Sequence, residues 1–472
     1  MKTLWKKKWV RRPVQACLLI VSLMALATVI TNWWGARQRN RVVAELMREG
    51  HPVTLGTLLA PLPPDELNFA KIPFFTSPRG EEKEKRDAAD SSVQAARQRL
   101  RAMNFMKGVS ELKKRPREQD YQEWGRLLGC AGDARSCLER YDEVNAGALA
   151  ALREGMSRPY AQSTWLHDIE KSGDWSLLNV WKGGLPLREV VMGLSLRAHA
   201  ALAAGEPEVA LESLVLGYRM AELIGSTALL PSVYKKVDAC RLLKGALKGG
   251  LESGAWDDGQ LASLDDILAR IDLREDLRRA NQVENACWLL TLDYLKQEPG
   301  QMAGWRTDSY LDGLSWGTRE TICRMLPRGW FDLNATRELQ HYRRRVDLLA
   351  RPGLLAPWWR LGEELDAPIP RAVWEMPGSA YGTIFKDTCS GIVATQQARL
   401  ACELERYRLV HHRYPESLEK IGGELILDPL NGQSFGYRLR DETYRLFSVG
   451  PDGTLTADSP LESRRGGMPW VW

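Results

Sequence analysis

The chain has 472 residues, 44% hydrophobic and 26% charged, which is ordinary for a globular protein and more than one hydrophobic core commonly serves. Its net charge of +5 is carried by the extreme N-terminus: Lys2, Lys6, Lys7, Lys8, Arg11 and Arg12 leave −1 for all that follows, so the remainder has little counterion-release drive towards nucleic acid. Eight cysteines are too few for a disulfide-framed fold.

Pro13 to Trp34 is an uncharged apolar run, long enough to cross a ~30 Å hydrocarbon core as one helix. Trp5 and Trp9 precede it and Trp33 and Trp34 close it, the positions that amphipathic indoles favour at a bilayer interface. The cations before the run outweigh Arg37, Arg39 and Arg41 after it, which Glu45 and Glu49 dilute, so the N-terminus is expected in the cytoplasm and the bulk of the chain outside. Ala25-Leu26-Ala27 has the small-x-small form of a signal-peptidase site, but the run continues past it through Val29, Ile30 and the Trp pair, which favours an uncleaved anchor.

A polar helix is expected from Gly35 to Gly50. Pro52, Pro61, Pro63, Pro64 and Pro73 then forbid a continuous helix and predict a connector along the surface of the body, with Phe69, Phe74 and Phe75 tucked against its core. The stretch Pro64-Asp65-Glu66-Leu67-Asn68-Phe69-Ala70 with Pro73-Phe74 resembles the juxtamembrane segment of a group of uncharacterised bacterial membrane-anchored proteins with helical bodies, which have no assigned activity to lend. Residues 79–118 mix charges of both signs at helical spacing and read as a solvated helix face in preference to a lipid-headgroup site at Lys113, Lys114, Arg115 and Arg117.

Cys130 and Cys137 flank a short loop before a helix expected near Leu138. In an oxidising compartment they can close a disulfide; their spacing fits no common zinc site, and buried free thiols are the competing reading. Cys240, Cys287, Cys323, Cys389 and Cys402 fall in apolar helical patterns and read as core. From Leu187 to Leu295 the period is helical, with a hairpin broken at Gly205-Glu206-Pro207 that resembles a tetratricopeptide-type unit; further helices are expected at Ser232–Leu251, Asp257–Arg270 and Leu273–Leu295 without a clean 34-residue period.

Between Gly300 and Pro377 the chain is rich in Trp, Pro and Gly, residues that fill irregular helix interfaces. Here Gly313-Leu314-Ser315-Trp316-Gly317 matches the G-x-S-x-G form of a hydrolase elbow, with His341, His411 and His412 downstream. That elbow needs a buried strand before the serine, and GWRTDSYLD is not one.

The tail predicts a long helix, Ser379 to His412, and three β-favouring runs, Leu425–Leu427, Phe435–Leu439 and Tyr444–Val449, folded as an antiparallel sheet on that helix and separable from the body. Leu404-Glu405-Arg406-Tyr407, Arg413-Tyr414-Pro415 with Leu418, Asp428-Pro429, Tyr437-Arg438, and Tyr444 through Phe447-Ser448-Val449-Gly450-Pro451-Asp452-Gly453 resemble the C-terminal part of type II secretion major pseudopilins. The prepilin leader and methylated Phe of that family are missing, and a long body stands where its helix would enter a membrane. The resemblance implies a calcium loop with Asp452 and Asp458 as carboxylates, but the loop here has fewer glycines and acids, and Asp452-Gly453 reads better as a simple turn. Adjacent His411 and His412 point ~100° apart on a helix and share no ligand face.

The expected architecture is mainly α: a tip and anchor (1–36), a connector and charged helix (37–126), an irregular tetratricopeptide-like body (127–376) and a pseudopilin-like α+β module (377–472). The expected function is that of a non-enzymatic interaction or scaffold protein in the bacterial inner membrane, its bulk periplasmic, with protein partners, no cofactor and no bound metal. The alternative is an envelope hydrolase around Ser315.

Overall fold

The computed structural model describes residues 8–72, 75, 121, 125, 128–172, 187–304, 314–350, 353–366, 379–440 and 443–451. Its first element, α1 (Lys8–Arg48), is one unbroken helix running through both the apolar run and the polar stretch behind it. At 1.5 Å per residue it is about 60 Å long, twice what a bilayer core needs. Leu18, Leu19, Ile20, Val21, Leu23, Leu26, Val29 and Ile30 are all exposed, whereas Gly35, Val42 and Leu46 are buried against the body. It is the one described helix long and apolar enough to cross a membrane, a property that a signal sequence shares.

The connector is stapled down. Two short 3-10 turns flank Asn68, whose buried amide donates to the Gln162 carbonyl at 2.9 Å and accepts from the Gln162 and Ala70 amides. That clamp drives Phe69 and Ile72 into the core beneath Gly155, as the Pro-rich stretch predicted for Phe69. Phe74 and residues 79–118 lie outside the described residues.

The body is a stack of capped helices: α2 (Ala134–Gly155), α3 (Trp165–Ser172), α4 (Leu187–Ala204), α5 (Pro207–Gly225), α6 (Leu230–Glu252), α7 (Asp258–Ala269), α8 (Leu273–Gln297), α9 (Trp316–Arg324), α10 (Arg328–Ala350) and α11 (Ala356–Asp366). Asp133 accepts the Ser136 amide at 2.9 Å in a capping box, which starts α2 a turn earlier than Leu138. Asp257 and Asp272 cap α7 and α8 in the same way from their third-position amides. Gly205, at a φ of +76°, and Pro207 in the first turn of α5 fold α4 and α5 into the expected hairpin, and α6 packs on both.

The last helix, α12 (Ser379–His411), does not belong to a separate body. It lies against α6, α7, α8 and α11, and its Phe385, Cys389, Val393, Leu400 and Leu404 share one continuous core with Leu214, Val237, Leu247 and Leu277. Arg241–Asp387, Arg399–Asp265 and Arg406–Asp258 pairs tie it to α6 and α7 at 2.7–2.8 Å. The expected boundary at residue 377 falls within residues 367–378, outside the described residues, and α12 beyond it shares the core of the body.

Beyond α12, β1 (Gly436–Arg440) and β2 (Thr443–Phe447) form a two-stranded antiparallel hairpin with Tyr437 opposite Leu446. The first expected strand is instead a 3-10 turn, Glu424–Ile426, with a single bridge from Leu427 to Ser434. The physical reason is Gln396 on α12. Its amide donates to the carbonyls of Glu424, Leu425 and Leu427, occupying acceptors that a ladder would use.

Candidate functional site

The most built polar site is the junction where α1 meets the body. Gly35 of α1 and Gly329 of α10 have no Cβ, so the two backbones touch; a Cβ on Gly329 would stand 2.1 Å from the Thr31 carbonyl oxygen. The Gly329 amide donates to Asn32 Oδ1 at 2.7 Å. Further along, Arg343 pairs with Glu49 and lies 3.7 Å from Glu45. Low numbers meet low and high meet high, so α1 and α10 run parallel.

Between these ends sits a four-membered charge cluster. Arg39 donates to both oxygens of Asp293 and, at 3.3 Å, to Asp332; Lys296 donates to both Asp332 oxygens at 2.9 and 2.8 Å. Asp332 is almost fully buried. Two cations and two carboxylates cancel, and each buried charge is hydrogen-bonded, the condition under which such a cluster is tolerated inside a protein. Its chemistry is attachment: it fixes the rotation and depth of α1 against α8 and α10.

Cys130 and Cys137 lie close together without a disulfide between them. Positive φ at Gly129 and Gly132 curls the intervening loop, and the two Sγ atoms stand 3.1 Å apart as thiols. Burial in the first turn of α2, then the neighbouring sulfur, pushes the Cys137 thiol up to about 12. Cys240, Cys287, Cys323, Cys389 and Cys402 lie in the helical core, Cys240 partly exposed, and burial raises all of their thiols.

The strand that an elbow needs before Ser315 would fall on residues 305–313, outside the described residues. Ser315 itself is the N-cap of α9: its hydroxyl accepts the Thr318 amide at 3.3 Å and shares a hydrogen bond with the Thr318 hydroxyl at 2.8 Å. His341 is in mid-α10, its imidazole held below the usual range by burial, while His411 stacks on Tyr407 at the end of α12. Gly313, Asp452 and Asp458 lie outside the described residues. No group of three or more potential metal-ligating side chains occurs among the described residues.

In the tail, three separate sets of hydrogen bonds hold the segment after α12. The Asp428 carboxylate accepts from the Ser448 hydroxyl at 2.5 Å and from the Leu430 and Val449 amides at 3.0 and 3.1 Å. Tyr414 donates to Glu405 at 2.5 Å and Tyr437 donates to the Pro415 carbonyl at 2.9 Å. These contacts seat the hairpin on α12.

Two buried clusters were not legible in the sequence. Arg197, 1% exposed, is held by Asp142, Glu212 and Ser213 between α2, α4 and α5. On α8, Asn281, Glu284 and Asn285 face inward with Glu338 and Arg345 of α10; Arg345 donates to Asn281 at 2.8 Å. Among the described residues, neither end of the buried Asn285 amide has a hydrogen-bond partner. No protein-family model, curated protein or solved structure matches the chain.

Proposed function

We propose that the protein is a single-pass, membrane-anchored, non-enzymatic scaffold of a bacterial envelope, its N-terminus cytoplasmic and its body periplasmic. The observation that carries this reading is the division of α1: an exposed apolar half, then a polar half locked to α8 and α10 through Asn32, Gly35 and Arg39. A helix so continued transmits the position of the membrane rigidly to the body. The cationic tip supports the orientation, and the Trp33-Trp34 pair supports the depth at which the anchor ends.

The working parts on this reading are surfaces: the tetratricopeptide-like α4–α5 hairpin and the pseudopilin-like end formed by α12 and its hairpin, which would dock envelope proteins, including secretion components. A Cys130–Cys137 disulfide would fasten the loop to α2 in the oxidising periplasm. Protease added to permeabilised cells should digest the body and spare the tip, and a C-terminal reporter active only in the cytoplasm should be silent. An active one would reverse the orientation. Alkylation of the unreduced, denatured protein should leave Cys130 and Cys137 unlabelled; labelling of both removes the disulfide.

A further inference from the structure

The parallel run of α1 and α10 has a geometric corollary. Gly329 lies against Thr31 and Asn32, at the depth of the Trp33-Trp34 pair that ends the apolar run. The chain entering α10 therefore comes from the membrane side of that contact. It carries Met325, 71% exposed, and before it α9, whose Trp316 is 59% exposed and is preceded by exposed Leu314. The helix α8 runs opposite to α10, since Lys296 meets Asp332 while Asn281 meets Arg345. Its C-terminal end thus points to the same side, and the 3-10 turn that follows, Pro299–Gly304, packs on α9. One end of the body presents an exposed apolar and aromatic edge beside the point where the anchor leaves the bilayer.

We propose that this edge, Leu314, Trp316 and Met325 with the start of α10, rests in the interfacial layer of the same membrane that α1 crosses. The proposal builds on the anchored reading above. The occupant is lipid, because the edge continues the level of the Trp33-Trp34 pair, the Trp316 indole favours the headgroup boundary, and Leu314 and Met325 add exposed apolar surface to it. On the same edge Arg324 is paired with Glu320 and feels Glu298, while Arg328 is exposed. A second, shallow contact of this kind would stop the body from swinging about α1 and hold α10 near the membrane normal.

The test uses full-length protein in vesicles of phosphatidylethanolamine and phosphatidylglycerol, with photoreactive benzoylphenylalanine placed singly at positions 23, 316, 325 and 410. Leu23 is in the apolar half of α1, and Val410 is an equally exposed apolar residue on α12. All four side chains are exposed, so folding is retained in each variant. Lipid adducts at 23, 316 and 325 and none at 410 are the expected result. Adducts at 23 alone overturn the second contact and leave the anchor standing; absence of adducts at 23 overturns the anchored reading itself. In native membranes, a protein adduct in place of lipid at 316 and 325 would assign the edge to a protein partner and overturn the proposal.

Discussion

Glu284 shows how one buried carboxyl couples this fold to pH. It lies on α8 beneath the first turn of α6, where the Leu230 amide donates to it at 3.3 Å. Burial, with Glu338 adding repulsion, pushes its carboxyl up to about 7. The folded state therefore holds a proton that the unfolded chain releases near the ordinary value of about 4.3. Its contribution is complete below that value and is lost as pH rises through about 7, an effect of up to roughly 3 kcal/mol. Glu284→Gln should flatten the decline in denaturation midpoint between pH 5 and 8 and stabilise the protein at pH 8; an unchanged slope would remove Glu284 as its source. Neither this cluster nor Arg197 was visible beforehand, since RRANQVENA and SLRAHAA have the polar spacing of solvated faces. Only tertiary packing turns those faces inward. The closeness of Cys130 and Cys137, by contrast, depends only on a short loop curled at Gly129 and Gly132.

At the scale of elements, α1 separates what composition reveals from what it conceals. An uncharged run between Trp pairs is unmistakable, because a bilayer demands length and apolarity and little else. Docking of the polar half was not legible, for it rests on two glycines nearly 300 residues apart in sequence. Gly329→Val would drive a side chain into the Thr31 carbonyl, a backbone atom that cannot turn aside. It should destabilise the junction by about 1–3 kcal/mol and let the freed end of α1 fray, so that trypsin cuts after the already exposed Arg41 and Arg48 in detergent-solubilised protein. By contrast, Gly147 in mid-α2 has open space around its missing Cβ, so Gly147→Ala should stabilise by about 0.5–1 kcal/mol. A melting-temperature comparison of the two variants checks both signs. The missing third strand has an equally specific cause, since no local pattern announces that Gln396 will claim three carbonyls of a β-favouring run.

For the whole molecule, the change of period after His412 marks a change of secondary structure and not the edge of a core. The helix α12 buries residues around most of its circumference, including Thr388, Ser390, Gln397 and Glu405 beside its apolar side chains. A helix covered on that many sides is an interior strut. Removing Phe385, Val393, Leu400 and Leu404 alone forfeits about 1.5–3 kcal/mol each, a sum comparable with the roughly 5–15 kcal/mol stability of a whole domain. Truncation would also orphan Arg241, whose partner is Asp387, and Asp265, whose partner is Arg399. A chain ending before Pro377 should therefore lose cooperative unfolding and hydrogen-exchange protection in α6, α7 and α8. Leu404→Ala in the full-length chain should keep cooperativity and lower stability by about 2–5 kcal/mol. If the truncated chain keeps native protection in α6, the helix is an accessory to a self-sufficient body, and partner loss on truncation would then report docking by the tail; if protection disappears, partner loss reports unfolding, and docking has to be probed with surface substitutions on the intact protein.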